Sequence, residues 1–236
     1  MTRPLVVAHR TCPPFAPENS LEGIRVAREQ GADAIEVDVR MSLDQRAFLM
    51  HDNTMRRTTG WPLPIELTPA ILVKRQRLKG SATGEHPPSI AEVFDALTDG
   101  GVLAFDVKTH TSIIPLAAGI KRRRLQDRAL VWCASALVVR YALRRLPGVE
   151  VAYYKDFDDD ESNLSFIRRA GRLGAQAVSL DWRGINEAVV SAAHGSGLKV
   201  YSWHKEYEVA PEKLQTGLDG LITDYPAEAR ATIESL

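Results

Sequence analysis

The sequence predicts an α/β fold, a (β/α)8 TIM barrel with a small insertion after the second strand. Three observations predict it. Short apolar, β-branched runs alternate with longer helical patterns almost from end to end, as parallel βα units require. Eight such runs can be laid out along the chain, which favours a closed barrel over an open doubly wound sheet. At 236 residues the chain also has the usual length of one such barrel with its own core.

The candidate strands, in order, are Leu5–Ala8, Ala34–Val39, Val102–Val107, Ala129–Cys133, Val149–Tyr153, Ala177–Leu180, Leu198–Trp203 and Gly220–Thr223. Helices are predicted between them from their end signals. Ser20 caps a helix that stops at Gly31, Ser89 caps another reaching Leu97, and Ser162 opens one that ends at Gly174. A fourth runs from Asn186 to His194 and is expected to close at Gly195. One interval breaks the rhythm. Residues 41–88 hold a single short strand candidate, Ala47–Met50, then polar sequence around Trp61-Pro62-Leu63-Pro64 and His86-Pro87-Pro88. This reads as an excursion on the loop end of one barrel domain spanning 1–236.

Composition narrows the class. Thirty basic and thirty acidic residues cancel, so no global field attracts nucleic acid or an anionic membrane, and any attraction for a phosphate must be local. The apolar run Leu5–Ala8 is too short for a signal peptide or a membrane span, and no later run reaches span length. Two cysteines, Cys12 and Cys133, argue against a disulfide framework. A cytoplasmic enzyme with a small-molecule partner, without stable membrane insertion and without nucleic acid, is expected. The sequence says nothing about oligomeric state.

In such barrels the active site lies at the C-terminal ends of the strands. The first strand ends in His9-Arg10. On the second, Glu36 and Asp38 are two residues apart and share a face, while Ile35, Val37 and Val39 face the helices. Two carboxylates inside a barrel repel each other and are costly to desolvate; a divalent cation or arginine partners would relieve both problems. Oxygen ligands without a Cys or His cluster favour Mg²⁺ or Ca²⁺ over zinc. The third strand adds Asp106 and, on the same face, Lys108. The excursion supplies His51-Asp52, and two histidines, His9 and His51, suit acid/base work near neutral pH. Together these residues describe a phosphoryl-transfer site.

His9-Arg10, Pro17-Glu18-Asn19-Ser20, the run Gly31 to Val39, His51-Asp52 and Arg57-Thr58-Thr59 closely resemble glycerophosphodiester phosphodiesterases. Weaker echoes follow at Leu67-Thr68, Pro88-Ser89-Ile90, Asp106-Val107-Lys108, Trp203 and Gly220 to Pro226. The resemblance implies a barrel whose metal is held by Glu36, Asp38 and Asp106, with His9 and His51 as the acid/base pair and Arg10 and Lys108 on the phosphate. It implies hydrolysis to glycerol 3-phosphate and an alcohol, with Mg²⁺ or Ca²⁺. Three departures stand out: Thr11 where the family has Gly, Asp106 where it has Glu, and Trp203-His204-Lys205-Glu206 in place of Trp-Thr-Val-Asn.

Supporting roles are expected for Glu18, bracing Arg10; for Asp52, pointing away from His51 on an extended segment; and for Trp203, as packing or as a pocket wall. Asn19 is read as bracing the helix that begins at Ser20. Lys121-Arg122-Arg123-Arg124 reads as the solvated end of a helix. The acidic run Asp156–Glu161 reads as a solvated loop near the pocket mouth, since it lacks the glycine and glutamate of a calcium loop. Two alternatives are weighed: a lysophospholipase D-type lipid phosphodiesterase, with Trp61-Pro62-Leu63-Pro64 as an apolar entrance, and a catalytically silent phosphodiester-binding barrel.

Overall fold

The computed structural model describes residues 3–97, 101–155 and 162–236. Its strands are β1 (Leu5–Ala8), β2 (Ala34–Met41), β3 (Ala47–Leu49), β4 (Val102–Val107), β5 (Ala129–Cys133), β6 (Glu150–Tyr154), β7 (Ala177–Asp181), β8 (Lys199–His204) and β9 (Gly220–Thr223). They hydrogen-bond in the order β1-β9-β8-β7-β6-β5-β4-β2-β3, and β1 also pairs with β2. The sheet therefore closes on itself, and every pairing in the ring is parallel. With helices around it this is the (β/α)8 barrel that the alternation predicts.

Alternation along each strand separates two cores. Outward residues such as Val6, Ile35, Val37, Leu103 and Val131 pack under the helices. Inward residues fill the barrel: Ala34, Ala104, Ala152 and Ala177 are small, and they leave room for Trp132 and Tyr201, whose ring centroids lie 5.5 Å apart. Gly220 faces this pair. A Cβ there would come within 2.6 Å of the Tyr201 ring, so the position admits glycine alone without repacking. The Tyr201 hydroxyl escapes the apolar layer by donating to Glu150 Oε1 at 2.6 Å.

The helix starts match their cap signals. Ser20, Ser162 and Asn186 accept from the backbone N–H three residues on, and Ser89 with Glu92 forms a reciprocal capping box. Gly31 and Gly174 adopt the left-handed conformation that ends a helix. The helix after Asn186 differs from expectation: it runs through Gly195, and the left-handed glycine is Gly197, at φ 71°.

The second strand is longer than its apolar run, because β3 folds back antiparallel and takes the hydrogen bonds of Val39 to Met41. This hairpin opens the insertion, which has a small core of its own in Phe48, Met50, Met55, Ile65 and Val73. Trp61 packs against that core.

Candidate active site

A cleft of ≈ 810 Å³ opens at the C-terminal ends of the strands, lined by His9, Arg10, Glu36, Asp38, His51, Asp106, Lys108 and Trp203 among others. Every residue proposed from sequence for metal, phosphate or proton transfer is brought there. The segment Trp61 to Pro64 is not among its lining residues. Trp203 does, and forms a wall shared with a neighbouring pocket.

The acidic centre follows from strand register. Parallel pairing of β2 with β4 sets Asp38 opposite Asp106, and Glu36 lies two residues back on the same face. The three carboxylates offer oxygens within 4.8 Å of one another and are 2%, 1% and 8% exposed. Burial pushes the Glu36 carboxyl well above the usual range, and the charges of Asp38 and Asp106 push it further. Burial likewise raises Asp106 to about 6, with Lys108 opposing and Asp38 adding to the rise. Burial acts on Asp38 too, but Lys108 and Arg10 outweigh it and hold this carboxyl below its ordinary value.

Two cations reach this cluster. Lys108 Nζ lies 2.5 Å from Asp106 Oδ2 and 3.2 Å from Asp38 Oδ1, close enough for the carboxylates to keep it protonated despite burial. The Tyr154 hydroxyl donates to Asp106 Oδ1 at 3.2 Å. Arg10 donates its backbone N–H to Glu36 Oε2 at 2.7 Å and places Nε 3.4 Å from Asp38 Oδ2. The loop that does this is strained: Arg10, Thr11 and Cys12 have φ of 44°, 65° and 66°. Thr11 is held there by burial and by the Ser20 N–H, which donates to its Oγ1 at 3.3 Å. Gly23 permits the fit, since a Cβ at that position would lie 2.2 Å from Thr11 Oγ1.

Each histidine is buttressed by a carboxylate. His9 Nδ1 lies 2.6 Å from Asp224 Oδ1, and His51 Nδ1 lies 2.8 Å from Asp52 Oδ1. With Nδ1–H donated to the carboxylate, the exchangeable site is Nε2. Burial lowers both imidazole pKa values, the carboxylates opposing. His51 gets to the cleft because Met50 N–H donates to Asp38 C=O at 3.0 Å and Arg40 Nε donates to the His51 carbonyl at 2.8 Å.

Two sequence-based assignments change. Glu18 does not brace Arg10: it takes both Arg57 Nη groups, one at 2.7 Å, because the insertion carries Arg57 over the first loop. Asp52 does not point away from His51. It turns back to Nδ1 and also accepts from Arg57 Nε at 2.6 Å, which holds its carboxyl down at about 2 against the opposing effect of burial. Asn19 does more than brace its helix. It is buried and clasps Asp38, its Nδ2 donating to Oδ2 at 2.7 Å and its Oδ1 accepting from the Asp38 N–H at 2.9 Å. Asp224 was also missed. It stands 215 residues from His9, and only its place at the end of a strand hinted at a site role.

The remaining motifs lie elsewhere. Lys121 to Arg123 end the helix Ile113–Arg123, and Arg124 leaves it in the left-handed conformation. His204 turns to the Glu208 carbonyl at 2.6 Å and stacks on Trp182. Asp156–Glu161 falls outside the described residues.

Three buried carboxylates without Cys or His, two of them raised by burial and then by like charge, are a donor set that fits a hard divalent cation. Fold and site together define a barrel enzyme built around a buried acidic centre with two cations beside it. The glycerophosphoryl diester phosphodiesterase family model matches residues 9–111. The glycerophosphodiester phosphodiesterase of Caldanaerobacter subterraneus subsp. tengcongensis is 26% identical over 233 residues, covering 94% of each chain. Glycerophosphodiester phosphodiesterase 1 of Rattus norvegicus is 36% identical over 121 residues, covering 47% of this chain and 36% of its own. Among solved structures, an Oleispira antarctica phosphodiesterase in complex with the product sn-glycerol-3-phosphate superposes with a TM-score of 0.86, at 23% identity over 98% of this chain and 97% of that one. Over residues 9–111 the chain is similar to the glycerophosphodiester phosphodiesterase family, and over 94% of its length to the Caldanaerobacter enzyme.

Proposed function

We propose that this protein hydrolyses glycerophosphodiesters to glycerol 3-phosphate and an alcohol, using a divalent cation, Mg²⁺ or Ca²⁺. The observation that carries the reading is the pairing of two carboxylate-buttressed histidines with a buried acidic centre in one cleft. A barrel that only bound diesters would need no such pair. The family relatives and the product complex of the Oleispira enzyme support the same reaction.

Glu36, Asp38 and Asp106 would hold the cation, which when bound supplies positive charge for the phosphoryl oxygens. Arg10 and Lys108 add fixed positive charge beside it and orient the diester. One imidazole Nε2 takes the proton of the attacking oxygen, and the other returns a proton to the departing alkoxide. Asp224 and Asp52 fix the two rings in the tautomer that leaves Nε2 free for this exchange. Residues 1–236 act as one catalytic unit, because the insertion delivers His51 and the Glu18–Arg57–Asp52 brace behind it. Among the described residues no helix is long and apolar enough to cross a membrane. With both cysteines buried and free, a cytoplasmic enzyme acting on a small diester is the reading these features support.

The test is release of glycerol 3-phosphate from glycerophosphocholine and glycerophosphoethanolamine with Mg²⁺, Ca²⁺ or EDTA. Activity removed by EDTA and restored by metal is expected. No release with either metal would overturn the assignment.

A further inference from the structure

A second pocket, of ≈ 700 Å³, opens beside the catalytic cleft and is lined from the ends of β7 and β8 and the segments that follow them. It lies outside the barrel interior. Along β8, Tyr201 faces inward and Trp203 packs with the same inner layer, so His204 at the strand end points outward. Trp203 borders both cavities, whereas His204 lines the outer one alone.

His204 is 8% exposed and stacks on Trp182 with ring centroids 5.0 Å apart. Its Nε2 lies 2.6 Å from the Glu208 carbonyl oxygen. A carbonyl can only accept, so Nε2 carries a proton and the neutral ring keeps Nδ1 as a bare acceptor. Nδ1 has no hydrogen-bond partner among the described residues. Polar groups on side chains this deeply placed are usually paired, so an open acceptor at a pocket wall marks a place for a donor from outside the protein.

The charges around it narrow the ligand. Three carboxylates, Asp181, Glu206 and Glu208, line the pocket against two cations, Arg183 and Lys205. Both cations are engaged: Arg183 Nε pairs with Asp181 Oδ1 at 3.0 Å, and Lys205 Nζ rests 5.1 Å from the centroid of the Trp203 ring. Glu206 and Glu208 are exposed and make no ion pair among the described residues. A metal ion does not fit here. Among the described residues, the histidine and carboxylate ligands that converge within 4.8 Å are Glu36, Asp38 and Asp106, in the other cavity. Acceptors spread over a pocket walled by Trp203 and Val209 suit an organic cation with N–H donors and a short carbon chain.

We propose that this outer pocket binds a small primary-ammonium ligand, which donates an N–H to His204 Nδ1 and sets its charge beside Glu206 and Glu208. The site is separate from the hydrolase reading, and either can fail without the other. Its shared wall, Trp203, makes indole fluorescence the reporter.

The experiment titrates the metal-free protein with ethylammonium chloride, following tryptophan fluorescence against potassium chloride of equal ionic strength. Tetramethylammonium, with the same charge and no N–H, is the second probe. Ethylammonium should give a saturable change, and tetramethylammonium should bind about tenfold more weakly, the scale of a hydrogen bond to a charged group. His204→Phe, which keeps the stack on Trp182, should weaken ethylammonium by about tenfold. Glu206→Gln, at an exposed position that leaves the fold intact, should weaken it by about twofold to fivefold, as expected for an exposed ion pair. Excess glycerol 3-phosphate should leave the titration unchanged. The proposal is overturned if ethylammonium changes nothing beyond potassium chloride, if both probes bind equally, or if neither variant weakens binding. Displacement by glycerol 3-phosphate would also overturn it, by placing the amine in the catalytic cleft.

Discussion

Replacing Asn19 with alanine removes two buried hydrogen bonds in one step. The bond from Nδ2 to Asp38 Oδ2, at 2.7 Å, has a charged acceptor and is worth about 1.5–3 kcal/mol. The bond from the Asp38 N–H to Oδ1, at 2.9 Å, contributes about 1 kcal/mol, and its loss strands a backbone donor beside a residue that is 1% exposed. Asn19 also sits at φ 54°, a conformation that asparagine tolerates and alanine resists by roughly 1 kcal/mol. Together these give a loss of roughly 3–5 kcal/mol, which for a chain of this size is a fall in Tm of roughly 6–20 °C. Thermal and urea unfolding of the metal-free protein at neutral pH measure it. Asn19→Gly separates the contributions: it relieves the backbone conformation without restoring either bond, so it should recover only about 1 kcal/mol. Asn19→Asp should be worse than alanine, because it sets a fourth carboxylate against a buried acidic centre. If Asn19→Ala stays within about 1 kcal/mol of wild type, Asn19 is not what holds Asp38 in place.

Other outcomes follow from the same geometry. Asp224→Asn should lower kcat by about 10²- to 10⁴-fold, the worth of one acid/base group, with little change in Tm; near-normal turnover would mean that His9 needs no carboxylate to set its tautomer. Glu36→Gln removes a carboxyl that burial raises and that the charges of Asp38 and Asp106 raise further. The variant should melt at or above wild type without metal and lose the rise in Tm that Mg²⁺ or Ca²⁺ gives wild type, and a retained rise would remove Glu36 from the metal site. Glu92 is pulled down from 4.5 to about 2, because its bonds from Ser89 and Lys74 outweigh burial. A carboxylate with a depressed folded pKa contributes stability above its unfolded pKa and loses it as pH falls through the folded one. The stability gap between wild type and Glu92→Gln should therefore be full above about pH 5 and close between about pH 4.5 and 2 in acid titrations followed by circular dichroism; a constant gap would refute it.

The sequence by itself determined whatever repeats locally. Alternation with period two set the strands and told which of Glu36 and Val37 faces inward. Serine and glycine signals set most helix ends, and short ordered motifs named His9, Arg10, Glu36, Asp38, His51, Asp106 and Lys108. Its errors were local as well: Gly195 looked like a stop because it is a glycine, although which glycine turns left-handed is decided by where the next strand must start. Tertiary structure alone decided the pairings between distant side chains. Asp224 meets His9 because β9 closes the ring onto β1, and Glu18 meets Arg57 because the insertion folds over the first loop. Asp52 turns toward His51 for the same reason, since Arg57 holds its other oxygen. Asn19 clasps Asp38 through a left-handed turn that no periodicity encodes. The physical reason is range. Hydrophobic alternation and caps are written within one element, whereas the partner of a buried charge is chosen by barrel closure and register, which exist only once the chain is folded.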